Sequence, residues 1–134
     1  GQAESPDGTA DVIDVKGDGD FAAKLFVDAK THLPLMLSWM AKEPLRMNIA
    51  RGGATTPEQR DQLMKDLDQR MKDAEAQRRT VEYRIYYAGY QDAGGVKMPS
   101  HIQRSIDGKP ADELALEKIK LNPKIDPKKF DTVK

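Results

Sequence analysis

Apolar and polar residues alternate along three stretches in the first third of the chain, at positions 9–17, 21–28 and 35–43. Successive side chains of a strand point to opposite faces of a sheet, so this period of two predicts three β-strands. The polar runs KGDGD and AKTHLP separate them and are short enough for hairpin turns. In the third strand, Leu35, Leu37 and Trp39 fall on one face.

The next segment has the spacing of a helix. Its start, TTPEQ, offers Thr56 as N-cap, Pro57 in the first turn and Gln59 in the capping-box position. These signals and the following periodicity predict a helix over 56–78. Its apolar stripe is narrow, which is typical of a helix lying on a surface rather than inside a core. The stripe consists of Leu63, Leu67, Met71 and Ala74, with Met64 beside it.

Three further strands are predicted in the second half, over 80–90, 96–106 and 112–122. The turn signals QDAGG and DGKP separate them. The last of these strands changes phase in its middle, which predicts a β-bulge near Glu117 or Lys118.

The resulting order is six strands joined mostly by short turns, with one long helix inserted between the third and the fourth. Short links favour an antiparallel meander, and the order lacks the alternation of a parallel sheet. We therefore predict the α+β class, with a curved antiparallel sheet and one helix. A single domain is expected over 9–134 with the helical insertion at 56–78. Residues 1–8 are expected to be a flexible lead or the remnant of a removed tag, and the closing turn is expected to hold Phe130 against the core.

Composition excludes several classes of function. The 134 residues carry 22 basic and 22 acidic side chains, so no net field would steer nucleic acid or an anionic membrane to the chain. The apolar runs are too short for a membrane-spanning helix. Because there is no cysteine, disulfide scaffolds, cysteine zinc sites and thiol nucleophiles are excluded.

No set of residues has the spacing of a catalytic or metal site. His32 and His101 lie in no HxH or HExxH pattern, and a metal site requires several converging ligands. The acidic run around Asp18 lacks the distal Glu of a calcium loop. No serine has the surroundings of a nucleophile elbow. The sequence therefore predicts no catalytic residue, no metal and no cofactor.

What remains is one strongly apolar face of the predicted sheet. The helix stripe is too thin to cover the whole face. The face is therefore either part of a core that further polypeptide covers or a cleft for an apolar ligand. The residues favour core for most of the face and leave both interpretations open. The candidate ligand-binding residues are Leu25, Val27, Leu35, Leu37, Trp39, Tyr83, Ile85, Tyr87 and Ile102.

Three stretches resemble a known family. Residues 21–39 contain the hairpin D-x-x-T-x-L-P, residues 83–110 contain an aromatic strand followed by Y-x-x-x-x-G-x-x-x-P and DGKP, and residues 117–130 contain N-P-x-I-D-x-x-x-F. This order is similar to that of the LolA/LolB-like superfamily of bacterial envelope proteins, which includes the outer-membrane lipoprotein-sorting proteins. The chain resembles the C-terminal part of such a domain.

The resemblance implies a LolA-like half-barrel with an apolar cavity between the sheet and its helices. It implies a periplasmic or outer-membrane-associated protein that binds lipid, lipoprotein acyl chains or another hydrophobic ligand without catalysis. Another envelope protein is the alternative partner, which would make the chain a structural or protein-interaction module with no small ligand.

Overall fold

The computed structural model describes residues 1–46, 53 and 55–130. Within them, one open, curved antiparallel sheet of seven strands is accompanied by one long α-helix. The strands follow one another across the sheet in chain order, so the predicted α+β class and the antiparallel meander are confirmed, with seven strands instead of six. The elements are β1 (Gln2–Ser5), β2 (Gly8–Lys16), β3 (Ala22–Asp28), β4 (Pro34–Lys42), α1 (Pro57–Gln77), β5 (Thr80–Ala93), β6 (Val96–Ile106) and β7 (Lys109–Ala115).

The additional strand is β1, at one edge of the sheet. It pairs with β2 so that Gln2 lies opposite Asp11 and Ser5 opposite Gly8. The N-terminal amino group also donates to the carbonyl of Val12, at 3.1 Å. Residues 1–8 therefore belong largely to the sheet and are not a flexible lead. Hydropathy could not reveal this strand, because an edge strand is held by backbone hydrogen bonds that polar side chains also permit.

The hairpin between β3 and β4 is shaped by Asp28. Its Oδ1 accepts hydrogen bonds from the backbone N–H groups of Lys30 at 2.8 Å and Thr31 at 2.7 Å. These two donors stabilise the carboxylate and lower the pKa of Asp28. His32 adopts the left-handed conformation at φ 60° and donates its N–H to the Asp28 carbonyl. This pattern is an Asx-turn, and β4 follows it from Pro34, one residue before the predicted strand over 35–43.

The helix α1 begins and ends close to the predicted bounds of 56–78. Thr56 Oγ1 accepts from the N–H of Gln59, and Gln59 Oε1 accepts from the N–H of Thr56, both at 3.2 Å. This reciprocal capping box confirms the predicted helix start. At the other end, Arg78 is already extended and leads into β5.

Within the described residues, α1 does not lie on the sheet. No Cα atom of α1 is within 8 Å of a Cα atom in any strand, and none of its residues is buried. Met64 is 66% exposed and Met71 49% exposed. Only the last turn is attached to the sheet, by an ion pair from Lys42 to Glu75 at 3.5 Å and a bond from Arg78 Nε to the Glu43 carbonyl at 2.7 Å. The prediction that this helix is not buried inside a core is confirmed, and among the described residues it does not pack on the sheet either, because its stripe is too narrow to bury much apolar area.

The C-terminal part also differs from its prediction. β7 ends at Ala115, so the phase change near Glu117 follows the end of the strand and marks no bulge. The observed register shift lies earlier, where Arg104 faces Asp112 and Ser105 faces Pro110. Phe130 is 74% exposed in a short 3-10 helix and does not reach the core.

The core of the described residues is small. Its buried apolar residues are Ala23, Val81 and Ala93, and no large side chain is fully buried. The sheet thus forms a single layer whose two faces are both at least partly open to solvent. Which side chains share a face is decided by strand register.

Candidate functional site

Strand register places the predicted ligand-binding residues on one face of the sheet. Directly opposed residues of paired antiparallel strands project to the same side. One row of such pairs runs from Leu25 through Leu37 to Ile85. A neighbouring row runs from Trp39 to Tyr83, and Tyr87 faces Ile102 in the β5–β6 ladder.

Two of the nine residues lie beside an irregularity. The register shifts between Phe26 and Val27, so that Val27 faces Pro34 and Leu35 becomes an extra residue of β4. Leu35 still alternates with Met36 along the strand and is 37% exposed. All nine predicted residues are therefore brought to the same side of one continuous sheet, which we call the apolar face.

The apolar face is larger than the predicted set. Register adds Ile13 and Val15 opposite β3, Val81 opposite Ala41, and Ile106 opposite Tyr83. Ile13 and Val15 already showed the alternation of a strand in the sequence. Their place beside Leu25 could not be inferred, because alternation gives the face within one strand but not the register between strands.

An aromatic stack lies near the middle of the apolar face. The rings of Trp39 and Tyr83 are 5.4 Å apart between centroids and inclined by 16°. Tyr83 also donates its hydroxyl to the carbonyl of Lys42 at 2.8 Å, which fixes its ring along the strand. Trp39 belongs to β4, the fourth of seven strands, so this flat aromatic platform is central in the sheet.

Polar pairs lie on the apolar face at its outer strands, where Arg104 directly faces Ile85. Near one edge, the guanidinium of Arg104 donates two hydrogen bonds to the carboxylate of Asp112, at 3.0 and 2.7 Å. At the other edge, Gln2 Nε2 donates to Asp11 Oδ1 at 3.2 Å. These border groups are satisfied by one another, so they would tolerate a neighbouring molecule better than unpaired charges.

The opposite face carries a polar network over part of its central strands, beside an apolar row formed by Val12, Phe26, Met36 and Tyr86. Glu82 accepts from Ser38 Oγ at 2.6 Å and from Arg84 at 3.0 Å. The Arg84 bond, followed by the Ser38 bond, lowers the pKa of Glu82, and the same contact with Glu82 raises the pKa of Arg84. Lys24 pairs with Asp14 on this face at 3.1 Å. The two faces therefore differ in their share of apolar side chains, with the larger apolar set on the face of Trp39 and a polar network beside a shorter apolar row on the other.

Two clefts accompany these faces. One of about 340 Å³ lies beside the first residues of β3 and is lined by Val15, Ala23, Trp39 and Met40 among others. The larger, about 430 Å³, lies where α1 joins the sheet and is lined mainly by charged and polar residues. None of the nine predicted residues lines the larger cleft. The smaller cleft lies mostly on the opposite face of the sheet, since its lining also includes Asp14, Lys24, Ser38 and Glu82.

The described residues offer little reactive chemistry. Across 1–46, 53 and 55–130, no three His, Asp or Glu side chains are grouped so that they could hold a metal ion. His32 lies exposed in the β3–β4 turn, and His101 contacts Glu113 on the polar face. In the same part of the chain, no helix combines the length and the apolar character needed to cross a bilayer.

A scan of the chain against protein-family models finds no match, and searches of curated proteins and of solved structures find no similar one.

Proposed function

We propose that this chain is a non-enzymatic domain of the bacterial envelope that binds a lipid, an acyl chain or another hydrophobic ligand on its apolar face. The observation that carries the proposal is the apolar face around Trp39, on which no described helix packs. The resemblance to lipoprotein-sorting proteins supports an envelope setting, periplasmic or outer-membrane-associated, and an acyl chain as the ligand.

The energetics favour an apolar ligand of loose specificity. Removing apolar surface from water yields roughly 25 cal/mol for each Å², so an acyl chain that loses about 200 Å² would gain about 5 kcal/mol. The Trp39–Tyr83 stack offers a flat surface for the chain. Hydrogen-bonding groups are few on this face, and Arg104 is already paired with Asp112, so little would select one ligand over another.

Trp39 is the only tryptophan, and its fluorescence therefore reports on the centre of the apolar face. Titration with a long-chain fatty acid should shift its emission to the blue and saturate. Leu37→Asn should weaken binding about tenfold or more, since it places a polar amide under the ligand. Met40→Asn is the matched control, because Met40 is 60% exposed on the polar face of the same strand. The absence of a saturable shift, together with lipid-free protein in native mass spectrometry, would refute the proposal.

A protein-interaction module is the second candidate. It is favoured by the single layer of the sheet, because ligand sites usually bury 70–90% of a small molecule and one open face supplies only one wall. Under this alternative the fatty acid leaves Trp39 emission unchanged, whereas Leu37→Asn abolishes association with a protein partner.

A further inference from the structure

The larger cleft, where α1 joins the sheet, shares part of its wall with the apolar face. One row of directly opposed residues crosses this face, from Trp39 in β4 through Tyr83 and Ile106 to Lys109 at the start of β7. The last two members of the row, Ile106 and Lys109, also line the cleft. The row therefore leads from the aromatic stack to a basic residue in the wall of the cleft.

The cleft carries an excess of positive charge. Its lining includes four basic residues and two acidic ones, Glu43 and Asp107. The guanidinium of Arg79 pairs with both acids, at 3.3 Å to Glu43 Oε2 and 3.2 Å to Asp107 Oδ2. The acidic residues of the cleft are thus bound by a single arginine, and three basic residues are left to balance.

Two of these three carry the excess. Arg78 is paired with Glu75 at 2.6 Å, and Glu75 also pairs with Lys42 at 3.5 Å. In the part of the chain that the structure describes, neither Lys109 nor Arg46 forms an ion pair. The carbonyl end of α1 adds about half an elementary negative charge, which is too little to cancel two cations. Electrostatics therefore favours an anion in this cleft.

The size and the donors of the cleft fit a small anionic group. Its volume of about 430 Å³ lies within the range of small-molecule sites, about 300–1,000 Å³. Ammonium and guanidinium groups form strong, charge-assisted hydrogen bonds with phosphate and carboxylate oxygens. Three strand spacings of about 4.8 Å, about 14 Å in all, separate Trp39 from Lys109 across the sheet. An extended hydrocarbon chain spans this distance.

We propose that this cleft binds the anionic headgroup, a phosphate or a carboxylate, of an amphiphile whose hydrocarbon chain lies along the row from Lys109 to Trp39. The inference rests on the proposed function and defines its ligand class more closely, as an anionic lipid. The hydrocarbon chain is selected loosely by the apolar face, whereas the charge of the head is selected by the cleft.

Dodecyl phosphate and dodecanol share one hydrocarbon chain and differ in the charge of the head. Each is titrated below its critical micelle concentration, with Trp39 emission as the readout. At low ionic strength we expect the phosphate to bind at least about tenfold more tightly, because its oxygens accept charge-assisted hydrogen bonds. This advantage should shrink at high salt, because exposed charges are screened.

Lys109→Gln and Arg46→Gln each remove one cation of the cleft and keep a polar side chain. Each should weaken the binding of dodecyl phosphate about fivefold and leave the binding of dodecanol unchanged. Lys30→Gln is the matched control, because Lys30 is exposed in the turn at the other end of β4. It should leave both affinities unchanged. Far-UV circular dichroism verifies that all three variants fold.

Failure of the headgroup site and failure of hydrocarbon binding are distinguishable. Equal affinities for the two amphiphiles would overturn the headgroup site and leave the apolar face as a site for hydrocarbon. A phosphate advantage that neither Lys109→Gln nor Arg46→Gln reduces would also overturn it.

Calorimetry with inorganic phosphate distinguishes a headgroup from a free anion. We expect inorganic phosphate to bind more weakly than dodecyl phosphate and to compete with it. If inorganic phosphate binds in a Lys109-dependent manner while neither amphiphile changes Trp39 emission, the cleft is a site for a free anion. That result would overturn the headgroup assignment together with hydrocarbon binding.

Discussion

Asp28 is the residue that brings three predicted side chains to the apolar face. Its carboxylate bonds the backbone of Lys30 and Thr31 and closes the turn before Pro34. From Pro34 onward, alternation places Leu35, Leu37 and Trp39 on one side of β4. The turn sequence predicted this hairpin because Asx-turns depend only on neighbouring residues. The turn sequence did not predict the bulge beside Val27, because that bulge arises from the pairing of β3 with β4.

The acceptor role of Asp28 predicts a pH dependence of stability. Hydrogen bonds hold the folded pKa below the ordinary 3.8, so ionised Asp28 stabilises the fold above the unfolded pKa. That contribution is lost as the pH falls through the lower, folded pKa. The stability difference between wild type and Asp28→Ala should thus be full at neutral pH and shrink below about pH 4. Urea unfolding followed through Trp39 at several pH values measures it.

The control for this measurement is Asp61→Ala, which removes a carboxylate exposed on α1. Its stability difference from wild type should be small, because this side chain is exposed on a helix that does not pack on the sheet. A difference for Asp28→Ala that stays constant down to pH 2 would contradict the role assigned to this carboxylate.

The helix shows what element-level patterns can and cannot predict. Its bounds followed from a capping box and periodicity, which are local. Its position did not follow, because a narrow stripe such as that of Leu63 and Leu67 is compatible with weak packing or with none. In the described residues α1 is held by its last turn alone, through Glu75 and Arg78.

Detachment of α1 predicts that changes to its apolar stripe leave the sheet unaffected. Leu67→Asp should alter the free energy of unfolding reported by Trp39 by less than about 0.5 kcal/mol. Val81→Ala should lower it by about 2 kcal/mol, because Val81 is 4% exposed in the sheet and its truncation removes buried methyl groups. A loss above about 1 kcal/mol for Leu67→Asp would instead place α1 against the sheet.

At the scale of the whole molecule, stability should be unevenly distributed. The central strands β4, β5 and β6 form extended ladders with partners on both sides. The helix has few tertiary contacts, and most of the stability of a helix in a protein comes from the packing of its apolar face. The segment from Leu116 to Phe130 contains no strand and is mostly exposed.

This distribution predicts a graded hydrogen-exchange pattern. Amides of β4 and β5 should exchange slowly, whereas those of α1 should exchange nearly as fast as a free peptide, because opening the helix breaks few other contacts. Mass spectrometry of peptic fragments measures both in one experiment. Equal protection of α1 and β5 would show that the helix is covered in solution.

The sequence by itself determined the features that depend on near neighbours along the chain. These are the alternating strands, the Asp28 turn, the capping box at Thr56 and the set of apolar positions from Leu25 to Ile102. Each is set by interactions over two to four residues, which a pattern displays directly.

Only the tertiary structure decided how those features are combined. Strand pairing joined β1 to the sheet, aligned Leu37 with Ile85 and ended β7 at Ala115. Among the described residues, the helix α1 does not pack on the strands. These outcomes depend on hydrogen bonds and packing between residues far apart in sequence. A polar edge strand pairs through its backbone, and a helix packs only where enough apolar area meets it. Local hydropathy therefore predicts neither the pairing of β1 nor the position of α1.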